Sequence, residues 1–248
     1  MTPYFKDEFV TLYHGDFREI LPAMLGLWRF DAVITDPPYG ETSLDWDVWP
    51  QYWPAMMAPY ANSLWCFGSL RMFWENRDDF QAWKLAQEIV WEKHNGSGPR
   101  VDRFRRVHEL AVQFFQGSWD DVYKSPVMTH DALKIRARRQ GGPTHWNSTG
   151  PSTFASEEGG PRLMRSVIHV PSCHGYAVNE TQKPEGIVRP LMEYSVPPGG
   201  IVLDPFAGSG TTLAVARQQG KRSIGIEKRE EQCEAIARRL GQGDLLTA

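Results

Sequence analysis

The sequence predicts an α/β protein built on a mainly parallel, doubly wound sheet. Three observations predict it. Short apolar runs recur, each bounded by Gly, Pro or Asp, as strands covered on both faces require. Segments with helical spacing lie between several of them. A glycine-rich loop, Asp204-Pro205-Phe206-Ala207-Gly208-Ser209-Gly210, joins one apolar run to a helical segment. That is the strand–loop–helix setting of a nucleotide-binding turn.

The strands are expected, in order, at Val10–Tyr13, Asp31–Thr35, Ser63–Phe67, Glu88–Trp91, Glu109–Phe115, Gly200–Leu203 and Arg222–Ile226. Pro184 to Tyr194 reads as a helix with Pro in its first turn. Thr211 to Gln219 is a second, stopped by Gly220. Arg229 to Leu240 places Cys233, Ile236, Ala237 and Leu240 on one helical face. Between Gln116 and Arg165 the pattern fails, and Gly, Pro, Ser and Thr crowd Gly141 to Pro161. This insert is either a functional loop region or disordered. Within it Asp131 to Arg139 is expected to form one helix. The chain therefore divides into residues 1–115, an insert at 116–165, and 166–248.

A length of 248 residues suits one α/β domain with an insertion, or two small domains. Hydrophobic residues at 41% and charged residues at 23% place it among ordinary globular proteins. No apolar run spans a bilayer and no signal-peptide core opens the chain, so a cytoplasmic location is expected. Cys66, Cys173 and Cys233 lack metal-ligand spacing, and buried thiols are expected with no metal. Of the ten Trp residues, Trp46, Trp49, Trp53, Trp65 and Trp74 share one region, some for the core and others able to stack on bases. The net charge is −3, but Lys93 to Arg165 holds twelve Lys and Arg against seven Asp and Glu, leaving fifteen against twenty-three elsewhere. A basic segment on an acidic body suits contact with phosphates; a solvated surface with chance clustering is the alternative.

Gly208 and Gly210 allow positive φ and close backbone approach to a ligand. The free N–H groups at the helix start favour a carboxylate or phosphate. Ser209, Thr211 and Thr212 add hydroxyls. Glu227, seventeen residues after Gly210, ends the next strand, where a carboxylate can accept both ribose hydroxyls. The loop lacks the glycine triplet of dinucleotide sites and the Lys of a phosphate-binding loop, which disfavours NAD and ATP.

Asp36-Pro37-Pro38-Tyr39 ends the second strand. Two prolines stiffen it and hold acceptors in place. An exocyclic amine on a base is a poor nucleophile, because its lone pair is delocalised into the ring. The Asp36 carboxylate and Pro37 carbonyl can accept its two N–H groups, favour a pyramidal nitrogen and stabilise developing positive charge. Tyr39 offers a face for a flipped base.

Together these loops resemble the S-adenosylmethionine-dependent DNA amino-methyltransferases that form N6-methyladenine or N4-methylcytosine. Asp-Pro-Pro-Tyr before Phe-Ala-Gly-Ser-Gly resembles the permuted order of the β group. The resemblance implies a Rossmann-like class I methyltransferase fold with a seven-stranded sheet and a C-terminal β-hairpin element. It also implies roles for particular residues. Thr181-Gln182-Lys183-Pro184 resembles the segment that holds the methionine carboxylate, through the Lys183 side chain and neighbouring backbone. Gly15-Asp16-Phe17 resembles the segment at the cofactor adenine, with Asp16 on its amino group. Phe206 is implied beside the cofactor and Glu227 at the ribose, with Asp36 and Asp204 also lining that site. The insert takes the place of the target recognition domain.

The reading is direct methyl transfer to a flipped base in duplex DNA, without metal or covalent intermediate. Adenine N6 is favoured because relatives with Asp at the position of Asp36 mostly act on adenine; N4-cytosine is the alternative. An RNA methyltransferase and a non-catalytic DNA-binding module are the remaining classes. Arg100, Arg103, Arg105 and Arg106 are candidates for phosphate contact, with a solvent-exposed hairpin loop as the alternative. Lys134, Arg136, Arg138 and Arg139 are candidates for the major groove. The resemblance implies a bacterial or phage-type modification enzyme, able to pair as a homodimer, with any restriction endonuclease on a separate chain.

Overall fold

The computed structural model describes residues 2–97, 102–139, 152–173 and 182–243. The chain forms two compact units, one from Met1–Ser125 with Ser166–Ala248 and one from Pro126–Arg165. The larger holds strands β1 (Phe5–Lys6), β2 (Val10–His14), β3 (Ala32–Thr35), β4 (Ser63–Gly68), β5 (Lys84–Ser97) and β6 (Arg106–Phe115). The smaller holds β7 (Met128–Thr129), β8 (Ile135–Arg139), β9 (Ser152–Ser156) and β10 (Arg162–Leu163). Back in the larger unit are β11 (Val167–His169), β12 (Ile201–Asp204) and β13 (Arg222–Glu227). Its helices are α1 (Phe17–Ile20), α2 (Trp53–Met57), α3 (Leu70–Glu75), α4 (Glu185–Ser195), α5 (Thr211–Gln218) and α6 (Glu230–Gly243).

The sheet of the larger unit has the order β1-β2-β13-β12-β3-β4-β6-β5-β11. The run from β2 to β4 is parallel, as the buried apolar strands require. β6 turns the direction between β4 and β5. All seven expected strands lie in this sheet. Two short edge strands, β1 and β11, extend it to nine. The antiparallel hairpin lies mid-chain, at β5 and β6, rather than near the C-terminus. The three expected helices form as α4, α5 and α6, while α1, α2 and α3 are too short to leave a periodic signal.

Two clusters among the described residues hold side chains of the sheet. Val10 and Leu12 pack with Leu213, Cys233, Ile236 and Leu240 under α5 and α6. Val33, Leu203, Ile224 and Ile226 join Phe30, Trp53, Met57 and Phe114 in the larger cluster. From the pair β12–β3 the chain winds outward both ways: β12 leads to β13 on one side, β3 to β4 on the other. Such a switch point leaves a crevice beyond the strands' carboxyl ends.

The smaller unit contains two antiparallel pairs, β7 with β10 and β8 with β9. The helix expected at Asp131–Arg139 is absent there: Ile135–Arg139 is β8, in register with β9 from Ile135↔Ser156 to Arg139↔Ser152. Pairing with β9 satisfies the backbone that a short, charged helix without an apolar face leaves exposed. Asp131 is instead held by a two-pronged ion pair with Arg162.

Candidate active site

A cavity of about 1150 Å³ opens beyond the ends of β2, β3, β12 and β13. Sites for drug-sized ligands run from roughly 300 to 1,000 Å³, so this one has room for more than one group. Five carboxylates line it: Asp16, Asp36, Asp45, Asp204 and Glu227. The two central strands are tied together here, where Thr35 Oγ1 donates to Asp204 Oδ1 at 2.7 Å. Asp204 is 3% exposed, and burial pushes its carboxyl up to about 6 despite hydrogen bonds from Thr35, Thr212 and the Phe206 N–H.

The glycine loop is held from both ends. Gly208 (φ 51) donates its N–H to Glu227 Oε2 at 2.8 Å, while Glu227 Oε1 accepts from the Arg229 N–H at 2.8 Å. Arg239 of α6 donates to the Ser209 carbonyl at 2.9 Å and Thr211 Oγ1 at 3.2 Å. The Arg229 guanidinium lies 4.9 Å from the centroid of Trp46, and Phe17 meets Phe206 edge-on at 4.9 Å.

Every residue expected at the cofactor lines the cavity except Gly210. Gly210 (φ 73) precedes α5, and a Cβ there meets Ile236 Cγ2 at 2.9 Å. Close packing of α5 against α6 is what this position requires. Asp16 already faces Arg18 Nη2 at 2.8 Å and Lys228 Nζ at 3.3 Å, and the Arg18 hydrogen bonds hold its carboxyl well below the usual range.

Asp36 opens onto the cavity, and both its oxygens are occupied. Oδ1 accepts from the Tyr39 hydroxyl at 2.6 Å and Oδ2 from Lys183 Nζ at 2.6 Å. Burial raises the Asp36 carboxyl; the Lys183 charge opposes this and Glu109 adds to it. Lys183 Nζ also lies 3.3 Å from Glu109 Oε2, and Lys93 pairs with the other Glu109 oxygen. The rings of Tyr39, Phe67 and Trp91 surround this ammonium at 5.4, 5.6 and 5.9 Å. Burial alone would lower the Lys183 ammonium; attraction to Asp36 and Glu109 outweighs it and raises it. Pro37 is buried and Pro38 lines the cavity.

Sequence reasoning missed Asp47, Glu109, Lys93, Arg239 and the lining from Asp45 to Met56. Asp47 accepts the N–H groups of Tyr39, Gly40, Glu41 and Thr42 at 2.7, 2.9, 3.1 and 2.7 Å, fixing the chain that leaves Asp36. The signal was present as an acid among the crowded Trp residues, but its partners became visible only in three dimensions. Within the Trp cluster, Trp53 and Trp65 are core, whereas Trp46 and Trp49 line the cavity. All three cysteines are free and buried.

The candidate DNA contacts are divided. Arg103, Arg105 and Arg106 are exposed on the β5–β6 hairpin; Arg100 lies outside the described residues. Arg106 is not a free phosphate ligand: both terminal nitrogens donate to Glu41 Oε2 at 3.2 Å. Arg103 pairs with Asp102 at 2.9 Å. Phe104, between Arg103 and Arg105, is fully exposed, which sequence reasoning did not anticipate. Lys134 and Arg136 are exposed in the smaller unit; Arg138 and Arg139 lie on β8, their side chains outside the description. Among the described residues no helix is long and apolar enough to cross a membrane, and no cluster of His, Cys, Asp or Glu is placed to hold a metal.

The donor set suits S-adenosylmethionine: acids for a cationic sulfonium and for hydroxyls, aromatic edges for an adenine, and a helix start for a carboxylate. The fold is that of the class I methyltransferases. Residues 30–238 match the DNA methylase family of N6 and N4 amino-methyltransferases, and the chain belongs to that family. It is 25% identical to the type II methyltransferase M.ScaI of Streptomyces caespitosus, over 96% of this chain and 83% of that one. It is 31% identical to the type II methyltransferase M.XycI of Xanthomonas campestris pv. cyanopsidis over 68% of its length, spanning about half (48%) of that relative. In fold it is similar to M1.HpyAVI bound to S-adenosylmethionine, with a TM-score of 0.66, 22% identity, and 93% of this chain and 99% of that one covered. The PvuII DNA methyltransferase, described as cytosine-N4-specific, gives 0.66 at 14% identity, covering 96% and 88%.

Proposed function

We propose that the protein transfers a methyl group to the exocyclic N6 of adenine in duplex DNA, at a nucleotide turned out of the helix, with Asp36, Pro37, Pro38 and Tyr39 as the catalytic loop. One observation carries this reading. The carboxylate of Asp36 opens onto the cavity lined by Glu227 and the glycine loop, on a loop immobilised by Asp47.

S-adenosylmethionine supplies the methyl group. For the rest, Asp36 and the Pro37 carbonyl accept the two N–H groups of the target amine and stabilise charge as it develops on nitrogen. Because Tyr39 and Lys183 occupy both Asp36 oxygens, the base displaces at least one of them. The Tyr39 hydroxyl is the weaker, uncharged partner, and its departure frees Oδ1 and the ring for stacking. Glu227 binds ribose hydroxyls, and Asp16 takes an adenine amino group by releasing Arg18. Residues 126–165 serve target recognition, and exposed Arg103, Phe104 and Arg105 meet the duplex. A separately encoded endonuclease fits the type II relatives, and pairing as a homodimer rests on the resemblance to the β group.

Asp36 favours adenine by analogy with relatives. Likeness to a cytosine-N4-specific enzyme keeps N4-cytosine as the second reading. The test is to incubate unmodified genomic DNA with enzyme and cofactor, digest to nucleosides and identify the product by mass. N6-methyladenine is expected. N4-methylcytosine alone overturns the choice of base, and no methylated nucleoside in DNA overturns the reading.

A further inference from the structure

Asp36, Lys183, Glu109 and Lys93 form a chain of alternating charges, Lys183 buried and the others half-buried, that leads from the cavity into the sheet. One member is incompletely bonded. Glu109 Oε2 is buried and has no well-aligned hydrogen bond, although Lys183 Nζ stands 3.3 Å away. A buried carboxylate oxygen with capacity to spare is costly unless another state of the site uses it.

The use follows from charge. Lys183 is 8% exposed, and its first counter-charge is Asp36. When Asp36 shares its charge with the amine through Oδ1 that counter-charge is weakened, and when it takes up the amine's proton the charge is lost. A buried ammonium left alone is strongly unfavourable. Glu109 faces the same ammonium and is itself steadied by Lys93. We propose that Glu109 is a positioning residue for methyl transfer: it holds the Lys183 ammonium beside Asp36 and becomes its main counter-charge while Asp36 engages the target amine. The inference rests on the proposed role of Asp36. The other ionisable groups around Asp36 are Tyr39 on its own loop, Cys66 on β4 and Asp204 on β12. None of them can neutralise Lys183 as directly as Glu109 does.

The test uses the full chain with Glu109→Gln, which keeps shape and removes charge. Single-turnover methylation of genomic DNA is expected to slow about 10- to 100-fold, with S-adenosylmethionine affinity by calorimetry within threefold of the parent. Glu109 raises the Asp36 carboxyl and the Lys183 ammonium, so both limbs of the pH–rate profile are expected to move to lower pH. Glu109→Asp, which restores the charge, should recover part of the rate and return the limbs towards the parent. A rate within threefold with unmoved limbs overturns the inference. So does a slow variant whose limbs stay in place, because a merely structural role gives that result. Asp36→Asn is run beside it: if that variant methylates at the parental rate, the role of Asp36 itself fails, whatever Glu109 shows.

Discussion

The Lys183 ammonium lies 2.6 Å from the Asp36 carboxylate, while the carbonyl of the same Lys183 accepts a hydrogen bond from Thr211 Oγ1 at 3.0 Å. One residue therefore ties the Asp36–Tyr39 loop to the start of α5. The resemblance implied that Lys183 holds the cofactor's carboxylate. Its side chain pairs with two protein carboxylates, and its carbonyl meets Thr211 at the start of α5.

Lys183→Met should consequently damage the chemistry. Without the cation, Asp36 is left buried near Glu109 with like charge. Breaking a buried pair from one side typically costs about 3–5 kcal/mol. A rate loss of at least a hundredfold is expected. Losing the cation raises the Asp36 carboxyl further, so the acid limb should move to higher pH, opposite to the shift for Glu109→Gln. Single-turnover rates from pH 5 to 9 check both; activity within tenfold of the parent would sink the assignment.

Asp47 offers a test of loop rigidity. Burial would raise its carboxyl, but hydrogen bonds from Thr42 and from the Gly40, Thr42 and Tyr39 N–H groups outweigh that and hold it below the ordinary 3.8. A lowered carboxyl contributes stability that is present above the ordinary value and lost as pH falls below it. Asp47→Ala removes the acceptor of four N–H groups, and hydrogen bonds to a charge each contribute about 1.5–3 kcal/mol net. Water replaces part of this at the exposed end, so a loss of about 2–4 kcal/mol in urea unfolding is expected. The turnover number should fall more than cofactor affinity does. Equal losses in both would mean that the loop does not act on Asp36.

How much of this was legible depended on whether a feature is local. Asp36–Tyr39 and Asp204–Gly210 are local: each is a strand end followed by residues that fix or free φ, so sequence alone located them. Glu109 opens an apolar strand, and a charge there was the only hint of a buried partner; that Lys183 and Lys93 meet it depends on β5, β6 and the chain before α4 coming together. Asp131–Arg139 misled because spacing of charges does not choose between helix and strand; pairing with β9 does. Gly210 was read as a ligand glycine, since positive φ looks the same whether a ligand or Ile236 demands it.

Asp204 predicts a pH dependence of stability. Its carboxyl is raised to about 6 from 3.8, chiefly by burial. The folded state therefore keeps the proton that the unfolded chain releases, and stability falls as pH rises from about 4 to about 6. The full difference is about 3 kcal/mol, constant above that window. Asp204→Asn resembles the protonated form and lacks this slope. Relative to the parent, the variant should gain about 2 kcal/mol between pH 4.5 and pH 7.5. Unfolding of both proteins at the two pH values provides the comparison, in which other titrating groups cancel. A constant difference between the two proteins would show that Asp204 ionises normally.

Phe104 carries the last prediction. A fully exposed Phe between Arg103 and Arg105 leaves its apolar ring in water, outside both described core clusters. A base stack is the apolar surface that guanidinium groups on the phosphates would bring to it, and wedges of this kind fill or open base steps. Arg103→Ala with Arg105→Ala should weaken duplex binding and lower the slope of affinity against salt by about one to two. Phe104→Ala should leave that slope unchanged, because no charge is lost, yet slow methylation of fully paired DNA at least tenfold. If Phe104 assists by separating bases, a duplex mismatched at the target should recover most of the rate, since unstacking and unpairing cost a few kcal/mol less there. Equal slowing on paired and mismatched duplexes would assign Phe104 to simple contact instead. Phe104→Trp separates the two further: a wedge tolerates the larger ring, and the paired-duplex rate should stay near that of the parent.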